Sequence, residues 1–152
     1  MNSRILAVTY SLALGLMLCG AAYGQQAPNE TDLKAAYCLP VATKTVDMLA
    51  ASLPAGNGTS QSADNVALAQ ELEGYRENAR RLQNYLDSRS KDIDHAALRE
   101  SAKQANEDFQ RAQLDLASCA TSGHLGETDP CVQASAAVGR VASCDTLSFL
   151  PF

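Results

Sequence analysis

The side chains best able to do chemistry in this chain are four cysteines, Cys38, Cys119, Cys131 and Cys144. Their separations are far wider than the Cys-x-x-Cys spacing of dithiol exchange, and the Cys-x-x-Cys-His motif of haem attachment is absent. The fifth cysteine, Cys19, lies in an N-terminal segment that is expected to be removed, and the even number that remains in an exported chain predicts two disulfides. The chain has no tryptophan and few aromatic residues, so such cross-links would stabilise a thin core.

The histidines are the next candidates, because they are common metal ligands. His95 follows Asp92 and Asp94 in the nearest approach to the Glu-x-x-His motif of di-metal helical bundles. Those bundles carry the motif on two helices and add further glutamates, whereas this chain has one copy. We interpret His95 as a half-buried histidine beside a capping aspartate, and we predict no metal and no cofactor. His124 lies in a glycine-flanked loop with no unpaired cysteine to complete a zinc site.

Catalytic motifs are not found in the sequence. The chain contains no Gly-x-Ser-x-Gly turn, no free cysteine predicted beside a histidine, and no glycine-rich phosphate loop. Its carboxylates fall at predicted solvent positions of helices rather than singly within apolar runs. We therefore predict that the protein is not an enzyme.

The N-terminal segment 1–24 has the layout of a secretory signal peptide. Arg4 precedes an apolar run from Ile5 to Leu18, and Ala22-Tyr23-Gly24 offers a small-x-small cleavage site. The run is short for a membrane span, so an uncleaved anchor is the less favoured alternative. Cys19 is expected to leave with this segment, because the bulky Leu18 before it does not fit a bacterial lipoprotein signal. The mature protein is thus predicted to be periplasmic or extracellular.

The charge balance restricts the class of partner. The chain has a formal net charge of -5, and losing Arg4 with the signal peptide would make it -6. An acidic protein repels nucleic acid and anionic lipid surfaces. We predict no nucleic-acid partner and no stable membrane insertion after cleavage.

The remaining residues, 25–152, read as a single helical domain that must position these groups. Gln25 to Asn29 is a polar leader, predicted to be disordered. Apolar residues then recur in four–three spacing, which predicts helices over about 30–53, 62–88 and 92–120, and a shorter one over 130–144. Pro40 predicts a kink or restart in the first helix. Asn57, in the loop after it, starts a formal glycosylation sequon, although a simple Asn-Gly turn is the favoured interpretation.

The predicted fold class is all-α, an antiparallel up-down bundle of three long helices and a short fourth, stapled by two disulfides. The second and third helices are joined by a short polar break, which predicts a coiled-coil hairpin. Their seam residues are Leu68, Leu72, Tyr75, Ala79, Leu82 and Leu86, followed by His95, Leu98, Ala102, Ala105, Phe109, Ala112, Leu116 and Cys119.

Helical rise selects among the three ways of pairing four cysteines. With alternating helix directions, Cys38 lies ~12 Å above the base and Cys119 ~40 Å above it, beside the start of the fourth helix. Cys119–Cys131 is then the natural pair, and Cys38–Cys144 remains, at heights within ~8 Å of each other. The other pairings need separations of ~20 Å or more, which a disulfide does not span.

These features predict an exported, non-enzymatic protein-interaction module, such as an inhibitor, adaptor or holding chaperone. The alternative is a small-molecule or metal carrier that uses the bundle core near His95. Two surfaces could bind a partner: the alanine-lined seam at Ala102, Ala105 and Ala112, and the apolar C-terminal tail. The candidate partner-binding residues of the tail are Phe149, Leu150 and Phe152. The tail could equally pack on the bundle, and the seam could close a monomer or continue into a dimer.

Overall fold

A computed structural model describes residues 26–53, 63–123 and 129–151. The described chain is all-α, as predicted, and forms an up-down bundle of three long helices followed by shorter ones. The long helices are α1 (Glu30–Ser52), α2 (Ala63–Arg89) and α3 (His95–Thr121); the short ones are α4 (Pro130–Gln133) and α5 (Ala136–Ala142). The predicted signal peptide, Asn57 and His124 lie outside the described residues. No helix in the described ranges is long and apolar enough to cross a membrane.

Both predicted disulfides are present. Cys38 and Cys144 are joined with their Cα atoms 5.3 Å apart, and Cys119 and Cys131 with theirs 5.9 Å apart. The first bond ties α1 to the segment after α5, and the second ties the end of α3 to α4. Disulfides persist in oxidising compartments, so the pair indicates an extracytoplasmic environment.

Capping side chains set the starts of α1, which agrees with the prediction, and of α3, which differs from it. Asn29 begins α1 in a capping box, with its side chain accepting from the Asp32 N–H and Asp32 accepting from the Asn29 N–H. Asp94 caps α3, which begins at His95 rather than near residue 92. The reason is a turn over 90–92, followed by Ile93, whose side chain is fully buried.

The segment before α1 is ordered from Gln26 onward, so the predicted disordered leader is wrong for these residues. The Gln26 N–H donates to the Asp92 carbonyl (2.8 Å), and the Asp94 N–H donates to the Gln26 carbonyl (3.0 Å). These two hydrogen bonds form an isolated parallel bridge with Ile93. The bridge pins the start of α1 to the turn between α2 and α3.

Helix α1 lies between the other two long helices. It packs closely along both α2 and α3, whereas α2 and α3, though antiparallel and joined by a short turn, do not pack closely along each other. The predicted coiled-coil hairpin is therefore corrected to two helices on a shared central one. The buried positions of α1 explain this, because at about 100° per residue they cover more than half of its circumference; they are Asp32, Ala35, Ala36, Cys38, Val41 and Ala42.

Two helices differ in continuity from the prediction. Helix α1 runs unbroken through Pro40, so the predicted restart is absent. The predicted fourth helix is instead divided, because Ser135 caps a new helix: its Oγ accepts from the Val138 N–H and donates to Asp115. Both short helices pack against α3.

The core occupies the end of the bundle where α1 begins and α2 ends. Its α1 members alternate small and medium side chains, and Leu82 and Phe109 fill the space on either side. The C-terminal tail closes this core, because Leu150 is buried within it and Phe149 packs against it. The full cluster is Ala35, Cys38, Val41, Ala42, Leu82, Ala105, Phe109, Cys144 and Leu150.

Candidate partner-binding groove

An open groove of about 540 Å³ runs between α1 and α3, with the end of α2 at its base. Small side chains and a proline ring on the facing helices leave this space. The apolar lining consists of Ala36, Leu39, Pro40, Leu86, Leu98 and Ala102. The polar lining consists of Thr43, Lys44, His95, Arg99 and Asn106.

Three of the polar side chains are already engaged by their own backbone. Thr43 Oγ1 donates to the Leu39 carbonyl and Asn106 Nδ2 donates to the Ala102 carbonyl, both at 2.9 Å. His95 Nε2 lies 2.7 Å from the Ser90 carbonyl at the turn before α3. Each of these side chains thus makes a hydrogen bond within its own part of the chain, and six of the eleven lining residues are apolar, so the groove presents a mainly apolar surface.

Pro40 adds one backbone feature to the groove. A proline has no N–H, so the Ala36 carbonyl four residues earlier lacks its ordinary helical donor. Both residues line the groove. Because of Pro40, the Ala36 carbonyl is a backbone acceptor in the groove wall without its usual helical hydrogen bond.

Two cationic side chains complete the lining. Lys44 and Arg99 form no ion pair within the described residues, and the Lys44 ammonium lies 5.5 Å from the centroid of the Phe109 ring. Most other described cations pair with carboxylates. Those in ion pairs are Arg76, Arg80, Arg89, Lys103, Arg111 and Arg140.

A buried carboxylate fastens α1 to α2 below the groove. Asp32 is fully buried and accepts from Tyr85 Oη (2.8 Å) and Arg89 Nε (3.2 Å), besides the Asn29 N–H. Burial works against ionisation of Asp32, but the hydrogen bonds from Arg89, Asn29 and Tyr85 outweigh it and lower the pKa of this carboxyl. Burial and the bond to Asp32 raise the pKa of Tyr85.

A second buried carboxylate fastens α3 to both α1 and α5. Asp108 accepts two hydrogen bonds from Arg140, at 2.6 and 2.7 Å, and one from Tyr37 Oη at 2.9 Å. The bonds from Arg140 lower the pKa of Asp108 despite its burial. Burial and the bond to Asp108 raise the pKa of Tyr37 to about 12.

These carboxylates are structural in character, and their burial corrects the prediction that the acids lie only at solvent positions of the helices. Each is fully occupied by an arginine and a tyrosine, and a lowered pKa makes a carboxylate a weak base. Neither lines the groove. The Asn29–Asp32 spacing of a capping box was the one sequence signal for Asp32.

The predicted binding residues divide between the groove and the core. Of the seam alanines, Ala102 lines the groove, whereas Ala105 and Ala112 are buried in close helix packing. In the tail, Leu150 is buried and Phe149 is half-buried with the Lys34 ammonium 4.7 Å from its ring centroid. Phe152 lies outside the described residues.

His95, the centre of the carrier alternative, lines the groove rather than a closed core. The described part of the chain contains no group of three His, Cys, Asp or Glu side chains placed to hold a metal ion.

The chain matches no protein-family model, no curated protein and no solved structure.

Proposed function

We propose that this protein is a non-enzymatic, exported interaction module, of the inhibitor, adaptor or holding-chaperone class, that binds another protein in the groove between α1 and α3. The observation that carries the proposal is the mainly apolar lining of this groove, in which Thr43 and Asn106 bond to the backbone of their own helices. Burial of apolar partner side chains would therefore be the main source of affinity. The walls are held by a disulfide and by two buried carboxylates that pair with partly exposed arginines, so little ordering would be needed on binding.

Photo-crosslinking in the source organism tests this proposal. A photoreactive phenylalanine analogue would replace Thr43 in the groove, Val66 at the opposite end of the bundle, or Glu73 on the exposed face of α2. We expect an adduct with one discrete partner at position 43 and none at position 73. Adducts at position 66 alone, or equal adducts at all three, would contradict a groove-bound partner.

The location proposed is the periplasm or the cell exterior. The residues 1–24 support export, and the disulfides support an oxidising compartment. Fractionation followed by mass measurement should find a product that begins at Gln25 and lacks four hydrogens. A full-length product in the cytoplasm would contradict it.

The second candidate is a small-molecule carrier, which is favoured by one observation. The groove volume falls within the range of about 300–1,000 Å³ typical of small-ligand sites, and His95 lies in its wall. Native mass spectrometry of the isolated protein would show a small bound mass, reduced in a His95→Ala variant. A bound mass that the variant retains in full would remove the role of His95.

A further inference from the structure

The two unpaired cations of the groove stand at its opposite ends. Ser101 Oγ donates to the Leu33 carbonyl (2.8 Å), which places Ser101 of α3 level with Leu33 of α1. Arg99, two residues before Ser101, therefore lies level with a point on α1 about two residues before Leu33. From that point to Lys44 the distance along the bundle axis is about 20 Å, at ~1.5 Å per residue. A mainly apolar trough with one cation near each end suits an elongated partner with carboxylates near both of its ends.

The same geometry selects the conformation of that partner. A length of about 20 Å corresponds to about 13 residues of α-helix, or about six of extended chain. An extended segment would need hydrogen-bond partners for its backbone, and the groove offers the Ala36 carbonyl but no row of unpaired groups. A helix satisfies its own backbone and presents apolar side chains at i, i+4, i+7 and i+11 to the trough.

The negative charge of the whole molecule makes the two groove cations the main source of attraction for an acidic partner. The chain has a formal net charge of -5, so its general field repels acidic partners. Attraction of a carboxylate must then come from local cations that have no carboxylate partner of their own. Lys44 and Arg99 satisfy that condition within the described residues.

We propose that the groove between α1 and α3 binds an acidic amphipathic helix of a partner protein, with its apolar face in the trough and carboxylates near its two ends on Arg99 and Lys44. This inference rests on the proposed interaction function and specifies the chemistry of the partner. The carboxylates set orientation and discriminate against basic helices, while the apolar face supplies most of the affinity.

Two synthetic peptides of about 16 residues test the inference by fluorescence anisotropy. Both carry leucine at the i, i+4, i+7 and i+11 positions; one has glutamates in its first and last turns, and the other has lysines there. We expect the glutamate peptide to bind about ten-fold or more tightly than the lysine peptide, and to weaken as salt rises from about 50 to about 300 mM.

Charge reversal provides the decisive variant. Lys44→Glu combined with Arg99→Glu should invert the preference between the two peptides, a result that loss of structure could not produce. The matched control is Arg76→Glu with Arg80→Glu on α2, which changes net charge equally at two exposed side chains that do not line the groove. The control should leave the preference for the glutamate peptide unchanged. Circular dichroism would verify that both variants fold.

The outcomes separate this inference from the function beneath it. Equal binding of both peptides, or a preference that survives the groove charge reversal, would overturn the acidic-helix assignment. Failure of both peptides to bind would also overturn it, while an adduct at position 43 in the cell would keep the interaction function. Failure of both peptides to bind, with no adduct at position 43 and a small bound mass in native mass spectrometry, would overturn both in favour of the carrier.

Discussion

At the scale of single residues, the bundle is organised by two buried aspartates. Asp32 and Asp108 each combine an arginine and a tyrosine from other parts of the chain, and no buried side-chain polar atom among the described residues lacks a partner. An apolar repeat along one helix does not reveal an arginine 57 residues away, which is why Asp32 escaped the sequence interpretation. Asp108 escaped for the same reason, since its arginine lies in a different helix.

Replacing Asp32 with asparagine should lower the free energy of unfolding by about 2 kcal/mol, because the charged hydrogen bonds from Arg89 and the capping-box contact are weakened. Urea denaturation at neutral pH measures the change. Asp64→Asn, an exposed acid in the first turn of α2, is the control and should stay within about 0.5 kcal/mol of the parent. Equal losses in the two variants would show that Asp32 is not a fastening point.

Stability should depend on pH at both ends of the scale. The folded-state pKa values of Asp32 and Asp108 lie below the ordinary 3.8, so their contribution is complete above that pH and is lost as pH falls through the lowered values. Tyr37 and Tyr75 have pKa values raised from 10.0 to about 12, so their contribution is present below pH 10 and is lost between 10 and 12.

Urea midpoints measured across that pH range should form a plateau between about pH 5 and 9 that falls on both sides. A Tyr75→Phe variant removes the hydroxyl bonded to Asp145 and should reduce the alkaline fall, since Tyr37 still contributes to it, without altering the acid one. A parent midpoint that holds constant from pH 9 to 12 would refute the tyrosine contribution.

At the scale of elements, the sequence predicted best those features that depend on position along a helix axis, which follows from the rise per residue. A constant advance along each helix was enough to pair the cysteines, because the pairing depends on height alone. The packing partners of each helix cannot be predicted in the same way, since an apolar stripe indicates that a helix face is buried but does not indicate which other helix covers it. The groove therefore could not be predicted, beyond the hint that alanines such as Ala102 permit either close packing or a gap.

The two disulfides should differ in their effect on stability. Cys38–Cys144 joins residues 106 apart and Cys119–Cys131 joins residues 12 apart. In the chain-entropy account, removing the bond that closes the longer loop lowers the free energy of unfolding by about 4.7 kcal/mol, and removing the bond that closes the shorter loop lowers it by about 3 kcal/mol. Urea denaturation of the Cys38→Ala/Cys144→Ala and Cys119→Ala/Cys131→Ala double variants should give that order. A greater loss from the short loop would contradict it.

At the scale of the whole molecule, burial is uneven from one end to the other. The core cluster lies near the start of α1, and no residue of α1 beyond Ala42 is buried. The large apolar side chains that stay exposed belong to the other end; they are Met48, Val66, Leu114 and Leu116. One end of the bundle is therefore a tightly packed base, whereas the other has fewer buried side chains, among them Leu72 and Cys119, and carries the Cys119–Cys131 bond.

Hydrogen exchange should report this gradient within a single helix. Amides of residues 34–42, apart from Pro40, should exchange about ten-fold or more slowly than those of 46–53, because opening the base requires breaking core contacts. Exchange measured by mass spectrometry on overlapping peptides gives the comparison, and using one helix keeps solvent conditions and helix type the same. Equal protection along α1 would mean that the helix opens as one unit.

The two disulfides are nested, with the Cys119–Cys131 bond enclosed by the Cys38–Cys144 bond. During synthesis Cys38 appears first and its correct partner last, while Cys119 becomes available in between. An oxidant acting on cysteines in their order of emergence would join Cys38 to Cys119 and trap α1 at the wrong height. Correct maturation therefore requires Cys38 to remain a thiol until the chain is complete, or an isomerase to exchange the wrong bond afterwards. Where Cys38 is oxidised before the chain is complete, the yield of correctly paired protein should thus follow the cell's disulfide-isomerase capacity.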